Sequence, residues 1–461
     1  MAQVSRKDAI VHLSSDRSSC WVTYEMLAAS PHGLPWGRQL DAGSAMKSRN
    51  VPGLDIARSV AIVLAMVSHC LVTVDAIGNL ETISPALKLP LRASTPTFIV
   101  LFGVMLEYVY KPLAIAEGVT PVVRRMFARA TQCYTLYLLS IVALVATGKM
   151  SFVDAVFTSA LHGSTPFTDI LRYYALLFIV SPALLVFRLR YGMAACLLVV
   201  SAVQLLHPLL AAIPEPPMVL HRPLLAKMPD LLLGIGTGVA GPSLLHSLFF
   251  VAVGSVIGAI IARERTAGTS VKAARGEYSL LICSLAVGAL GSAWIGPEPV
   301  NLKTWSGMDL RSANHPLFFF WGSLVATCLI VACRKLRDRG SGAFRLSMLG
   351  QRSLFTFCFG NSLLYLVPRI TLTVPTKFAV AFVLFCAVVA SSALYDRLVR
   401  KGVKDDPSAT ARALSARVNN LLEDVNARLR RFSARVADLV LNAISRSIAA
   451  SHKPDKRSRA A

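Results

Sequence analysis

The sequence predicts an all-α protein, a polytopic transmembrane helix bundle of about ten spans with a cytoplasmic C-terminal amphipathic helix. Three observations predict it. Of the 461 residues, 54% are hydrophobic. Only 16% are charged, whereas soluble domains carry about 25% charged residues. Apolar runs of about 20 residues, the length that crosses a bilayer, recur along the chain. This composition excludes a soluble enzyme, a disordered chain and a disulfide-rich secreted scaffold.

The apolar runs and the positive charges between them predict one topology. With the N-terminus in the cytoplasm, Lys and Arg concentrate in every segment expected inside and are sparse in every segment expected outside. The positive-inside rule requires this alternation, which places both termini in the cytoplasm. The ten runs lie at 54–77, 94–110, 130–147, 170–187, 192–212, 244–262, 278–296, 316–333, 353–371 and 376–395.

The chain divides into three segments by composition. Residues 1–50 form a polar cytoplasmic segment without the apolar stretch of a cleavable signal peptide, and residues 51–396 form the transmembrane domain. Residues 397–461 form a tail with 15 basic and six acidic residues. Apolar residues recur there every three to four positions, which predicts an amphipathic helix. Two placements stay open: the surface of the inner leaflet, which Arg430 and Arg431 on the polar face favour, or pairing with another helix, which would allow a homo-oligomer.

Several other classes of function find no support in the sequence. The net charge of +23 does not indicate nucleic-acid binding, because no basic stretch is interleaved with aromatic residues. No His or Cys spacing is typical of a zinc site, so we expect no bound metal. His207 and His246 are interpreted as core histidines whose hydrogen bonds are satisfied.

The first span carries the most informative ionisable residues, Asp55, Arg58 and His69. Eleven residues of α-helix turn through about 1100° and rise about 16.5 Å, so Arg58 and His69 share one face. Ionisable groups within a bilayer are costly and are candidates for function. The near-neutral pKa of histidine makes His69 the most natural general base. The alternatives are that Asp55 and Arg58 are interfacial anchors and that His69 hydrogen-bonds a neighbouring carbonyl.

Two further groups of residues are expected at the two levels of Arg58 and His69. Arginine binds phosphate through paired hydrogen bonds, so an arginine group near Arg58 would suit a phosphorylated donor, although it also satisfies the positive-inside rule. Glu107 is expected to pair with Arg58 or Arg129. Near His69, carboxylate and hydroxyl groups would bind a sugar, or Asp169 and Arg172 would form a salt bridge. The two groups are Arg124, Arg125 and Arg129 near Arg58, and Asp169, Arg172 and Tyr173 near His69.

The pattern Leu54-Asp55-x-x-Arg58 followed by His69 resembles the first helix of the membrane acyltransferase-3 superfamily. Residues 97–106 and 124–137 are similar to its second and third helices. Residues 168–182, 244–258 and 349–364 resemble one branch, the OpgC-type succinyltransferases of osmoregulated periplasmic glucans.

The resemblance implies an integral membrane O-acyltransferase of the bacterial inner membrane. It would transfer an acetyl or succinyl group from cytoplasmic acyl-CoA, as co-substrate and without a bound cofactor, to a periplasmic or extracytoplasmic glycan. A multi-span transporter or flippase without acyl chemistry is the alternative. The expected roles are catalytic for His69, Arg58 and Asp55, donor-binding for Arg124, Arg125, Arg129 and Glu107, and acceptor-binding for Asp169, Arg172 and Tyr173.

Overall fold

The structure, a computed structural model, describes most of the chain between the two polar ends. The described residues are 53–83, 85–214, 224–235, 241–267, 309–337, 349–350, 353–368 and 371–400, together with parts of 279–286 and 416–441. Every regular element among them is helical, which confirms the all-α prediction. The helices are α1 (Leu54–Thr73), α2 (Ile77–Ile83), a 3₁₀ turn (Pro85–Lys88), α3 (Leu89–Arg92), α4 (Ser94–Met105), a π-helical turn (Leu106–Tyr110), α5 (Lys111–Glu117), α6 (Val119–Ala146), α7 (Phe152–Ser159), α8 (Asp169–Leu205), α9 (His207–Ala211), α10 (Leu224–Leu233), α11 (Leu244–Ala267), α12 (Asp309–Ser312), α13 (Pro316–Arg337), α14 (Ser353–Leu366) and α15 (Val374–Arg400).

Seven helical stretches in the described part of the chain are long and apolar enough to cross a membrane, and α14 is a shorter apolar helix. The predicted runs at 170–187 and 192–212 lie on the two sides of Gly192, where a non-helical conformation (φ 86°, ψ 176°) breaks α8 into two helices. Tyr173 before the break and Gln204 after it contact Ser243 and His246 near the start of α11, so the chain turns back at Gly192. The run at 278–296 lies largely outside the described residues, so the count of ten stays a prediction.

Small residues bring the helices of the bundle close together. A methyl group on Gly103 of α4 would come within 2.1 Å of the Val251 carbonyl oxygen on α11, and one on Gly254 of α11 would come within 2.0 Å of the Val100 carbonyl oxygen on α4. Close backbone approach through small residues is how membrane helices gain packing energy without a hydrophobic driving force. The α4–α11 pair is therefore a fixed frame inside the bundle.

Helix α1 lies inside the bundle and contacts α4, α13, α14 and α15. Its small side chains make this position available, because Ala57, Ala61 and Ala65 are almost completely buried. At the Arg58 end, Ser59 accepts a hydrogen bond from the backbone N–H of Gly350 at 2.7 Å. Helix α1 is uninterrupted from Leu54 to Thr73, so Arg58 and His69 lie on one face, as predicted.

Part of the basic tail packs against α6. Residues 427–439 are helical, and buried Ala437 contacts Val123 and Phe127. Arg124 forms an ion pair with Asp438 at 2.8 Å. The tail therefore pairs with a helix of its own chain. Its placement on the membrane surface and its role in a homo-oligomer stay predictions.

Candidate active site

Among the described residues, the imidazole of His69 has one side-chain hydrogen-bond partner, which comes from a distant part of the sequence. Its Nδ1 lies 2.7 Å from Oδ1 of Asn361 on α14. The Nδ2 group of Asn361 donates to the carbonyl of Phe357 at 2.7 Å, which orients Oδ1 toward the imidazole. An amide oxygen only accepts, so Nδ1 of His69 carries the proton. Nε2 then retains its lone pair, which is the form that a general base requires.

Aromatic rings fix the plane of the imidazole. The ring of Phe167 stacks on His69 with centroids 4.8 Å apart, and Phe357 meets it edge-on at 5.6 Å. Phe167 in turn stacks on Tyr365 at 5.8 Å. These contacts come from the segment before α8 and from α14. They leave His69 little freedom to rotate away from Asn361.

His69 opens into a cavity between α1, the α3–α4 junction and α13. The cavity has a volume of about 70 Å³, and a single water needs roughly 10–15 Å³. The space therefore suits several waters or a small acyl group. Polar or charged lining comes from Ser68, Arg92, Thr95 and Arg311.

Arg311 lines this cavity, although the sequence did not indicate it as a site residue. It belongs to the short helix α12, and its charge acts on His69. Its buried Nε has no hydrogen-bond partner among the described residues. In the sequence it is one of a few basic residues in a segment expected outside, so nothing marked it for function. Only the approach of α12 to α1 in three dimensions identifies it.

The other end of α1 carries Asp55 and Arg58, which form an ion pair at 3.6 Å. The charge of Arg58 also acts on Tyr110 and Tyr174. Arg58 therefore faces the interior of the bundle. This observation argues against a purely interfacial role.

Arg58 shares its neighbour Tyr110 with two of the predicted donor residues. The charges of Arg125 and Arg129 act on Tyr110 as well. Arg125 also pairs with Glu117 at 2.8 Å, and Arg129 donates to Gln132 at 2.8 Å. The charges of three of the predicted cations therefore act on one phenol.

Arg124 does not share this arrangement, because it turns toward the tail and pairs with Asp438. Its side chain is 53% exposed. A contribution of Arg124 to donor binding would have to compete with this ion pair.

The prediction that Glu107 pairs with Arg58 or Arg129 was wrong. Glu107 is buried on the π-helical turn and accepts hydrogen bonds from Lys111 and from Arg188 of α8, the latter at 2.9 Å. Neither Arg58 nor Arg129 contacts it. A buried carboxylate needs adjacent cations, and the π-helical turn aims Glu107 at α8 instead of α1.

The predicted acceptor residues are engaged in local structure. Arg172 is buried, pairs with Asp169 at 3.2 Å and donates to the carbonyl of Gly163. Asp169 also accepts from the backbone N–H of Thr165 at 2.8 Å. The simpler alternative, a salt bridge, is therefore observed. Asp169 and Tyr173 nevertheless lie close enough to act on the charge of Arg311, which places them beside the cavity.

His207 and His246 are buried in the core, as predicted, but their hydrogen bonds are only partly satisfied. Nδ1 of His246 lies 2.8 Å from the hydroxyl of Ser243. Their rings meet at 5.7 Å, and that of His315 lies 5.8 Å from His207. Nδ1 of His207 and Nε2 of His246 are buried without a partner among the described residues. Among all the residues that the structure describes, no three or more His, Cys, Asp and Glu side chains are arranged to hold a metal ion.

Residues 51–231 match the family described as heparan-alpha-glucosaminide N-acetyltransferase, catalytic. This segment is similar to a membrane acetyltransferase. The match covers less than half of the chain. Comparisons with curated proteins and with solved structures gave no match.

The acetyltransferase-like segment contains most of the candidate site. Asp55, Arg58 and His69 lie within it, as do the predicted donor and acceptor residues, whereas Arg311 and Asn361 lie beyond its end. The match supports a membrane acyltransferase family and acetyltransferase activity. It does not distinguish the OpgC-type branch, which stays a prediction.

Proposed function

We propose that this chain is an integral membrane acyltransferase that moves an acetyl or succinyl group from acyl-CoA to a glycan. The observation that carries the proposal is the fixed imidazole of His69, whose Nδ1 faces Asn361 and whose ring lines a cavity of the right size. The match to a membrane acetyltransferase family supports the same chemistry. A glycan acceptor is favoured because the description of that family names a glucosaminide.

The proposed step needs one base and no metal ligand set. Nε2 of His69 takes the proton from a sugar hydroxyl, or from the amino group of an amino sugar. The oxygen or nitrogen attacks the thioester carbonyl, the carbon–sulfur bond breaks, and CoA leaves as a thiolate that then receives a proton. Aligning acceptor and thioester in one cavity lowers the barrier further, because two substrates react as one bound unit.

The Arg58 end of α1 is proposed as the place where the phosphates of acyl-CoA bind. The charges of Arg58, Arg125 and Arg129 all act on Tyr110 there, and guanidinium groups bind phosphate bidentately. About 16.5 Å of helix separates Arg58 from His69, a distance that suits an extended pantetheine arm. In the proposed topology this end faces the cytoplasm of a bacterial inner membrane, with both termini on the same side.

The experiment uses purified protein in lipid nanodiscs with acetyl-CoA or succinyl-CoA and a neutral glucan oligosaccharide. Mass spectrometry measures acylated sugar, and a thiol reagent measures released CoA. We expect the wild type and Ser362→Ala to acylate the sugar, and His69→Gln to lose at least 100-fold, the range of general base catalysis. Equal turnover in the His69→Gln variant would remove the catalytic role. Movement of a solute across the bilayer with acyl-CoA left intact would favour a transporter.

A further inference from the structure

Arg311 presents a half-buried positive charge that forms no ion pair with the described part of the protein. Its Nε is buried without a hydrogen-bond partner there. Burial and the like charge of Arg92 lower its pKa to about 10, so the guanidinium is still charged at neutral pH. A buried N–H group without a partner is costly, and a ligand that accepts a hydrogen bond from it would remove that cost.

The neighbouring groups of opposite or polar character already have partners. Asp169 acts on Arg311 from a distance, but its Oδ1 accepts from Thr165 and its Oδ2 from Arg172. The hydroxyl of Tyr173 donates to the carbonyl of Ser243 at 3.4 Å. The remaining charged neighbour, Arg92, carries the same sign and lines the same cavity. Two arginines therefore line the cavity that His69 lines.

We propose that Arg311, with Arg92 beside it, binds a carboxylate carried by the substrate group that reaches His69. A carboxylate fits the planar fork of arginine through two parallel hydrogen bonds. The cavity is small, so the carboxylate and the reacting atom belong to one compact group. Two sources share this chemistry: the free end of a dicarboxylic acyl group such as succinyl, and an acidic sugar of the acceptor. The identity of the substrate rests on the proposed function, whereas carboxylate binding itself does not.

The binding experiment compares sodium succinate with its neutral isostere succinamide at constant ionic strength. The readout is the midpoint of thermal unfolding of full-length protein in nanodiscs. We expect succinate to raise the midpoint of the wild type and of Arg190→Gln, an exposed arginine outside the cavity. Arg311→Gln should lose this rise and Arg311→Lys should keep part of it. Equal shifts with succinate and succinamide, or an unchanged succinate shift in Arg311→Gln, would overturn the proposal.

The midpoint without ligand adds a check on folding. Removing a half-buried charge that lacks an ion pair should leave the midpoint of Arg311→Gln unchanged or raise it. A large fall in both Arg311→Gln and Arg311→Lys would show that the guanidinium supports the fold, and would count against a ligand site.

The turnover experiment distinguishes the two sources of the carboxylate. It pairs acetyl-CoA or succinyl-CoA with a neutral or a uronic-acid-containing oligosaccharide. A charged hydrogen-bonded pair is worth roughly tenfold or more, so Arg311→Gln should lose about that factor in kcat/KM only for succinyl-CoA, or only for the acidic acceptor. Equal losses for all four pairs would overturn the inference. Succinate binding with no turnover by the wild type would overturn the proposed function alone.

Discussion

Asn361 on α14 and His69 on α1 lie 292 positions apart in the sequence and meet at 2.7 Å. Because Nδ2 of Asn361 is tied to the Phe357 carbonyl, the amide has one orientation and the imidazole has one tautomer. The relationship therefore sets the chemical form of His69, and it does so from a helix beyond the segment that matches the acetyltransferase family.

Replacing Asn361 by Ala should lower the rate of acyl transfer by about 10²-fold, because the imidazole loses the group that fixes its tautomer and position. The measurement is kcat for acylation of a glucan oligosaccharide in nanodiscs. Ser362→Ala is the matched control, since Ser362 donates to the carbonyl of Cys358 and does not contact His69. Equal kcat in the two variants would show that Asn361 does not prepare the base.

The buried ion pairs of Glu107 predict an effect of its replacement on the stability of the protein. Its buried carboxylate neutralises Lys111 and Arg188, so Glu107→Gln should destabilise the protein by about 3 kcal/mol, as when one partner of a buried pair is removed. Adding Arg188→Gln should restore part of the loss. Thermal unfolding in detergent measures both. The control is Asp424→Asn, whose pair with Arg428 is exposed and contributes little. Equal midpoints for Glu107→Gln and Asp424→Asn would contradict this assignment.

The arginines around Tyr110 predict a donor-binding effect. Arg129→Gln should raise KM for acyl-CoA by about tenfold, because a charged hydrogen bond to phosphate is lost. The effect should be smaller with 3′-dephospho-CoA thioesters if the 3′-phosphate is the group bound. Arg124→Gln serves for comparison, since Arg124 is turned toward Asp438. A tenfold higher KM in Arg124→Gln with no change in Arg129→Gln would reverse the assignment.

Removal of the tail is expected to lower the stability of the protein without abolishing its activity. Ending the chain after Arg400 removes the contact of Ala437 with Val123 and Phe127, so the thermal midpoint should fall. Acyl transfer should continue in the fraction that stays folded, because none of the candidate site residues lies in the tail. Loss of turnover in a truncated protein with an unchanged midpoint would place the tail in the mechanism.

Sequence periodicity was sufficient for the parts of the fold that depend on local patterns. The eleven-residue spacing predicted that Arg58 and His69 share a face, and the unbroken helix α1 confirms it. Long apolar runs predicted the membrane helices, because length and hydropathy alone decide whether a segment can span a bilayer.

Contacts between segments that lie far apart in the sequence could not be predicted from local patterns. In the sequence, Arg311 resembles an ordinary loop cation. Only the folded structure shows that its charge acts on His69. Glu107 turned toward α8 because a π-helical turn changes the phase of the helix, and the sequence carries no local mark of that turn.

The central claim is that acyl transfer proceeds along α1 from the Arg58 end to His69. Its most direct test uses proteoliposomes with acetyl-CoA or succinyl-CoA on one side only and a glucan oligosaccharide enclosed on the other. We expect mass spectrometry to detect acylated oligosaccharide with the wild type and with Arg190→Gln, and no acylated oligosaccharide with His69→Gln. Acylation by His69→Gln at the wild-type rate, or acylation only when donor and acceptor share one compartment, would contradict it.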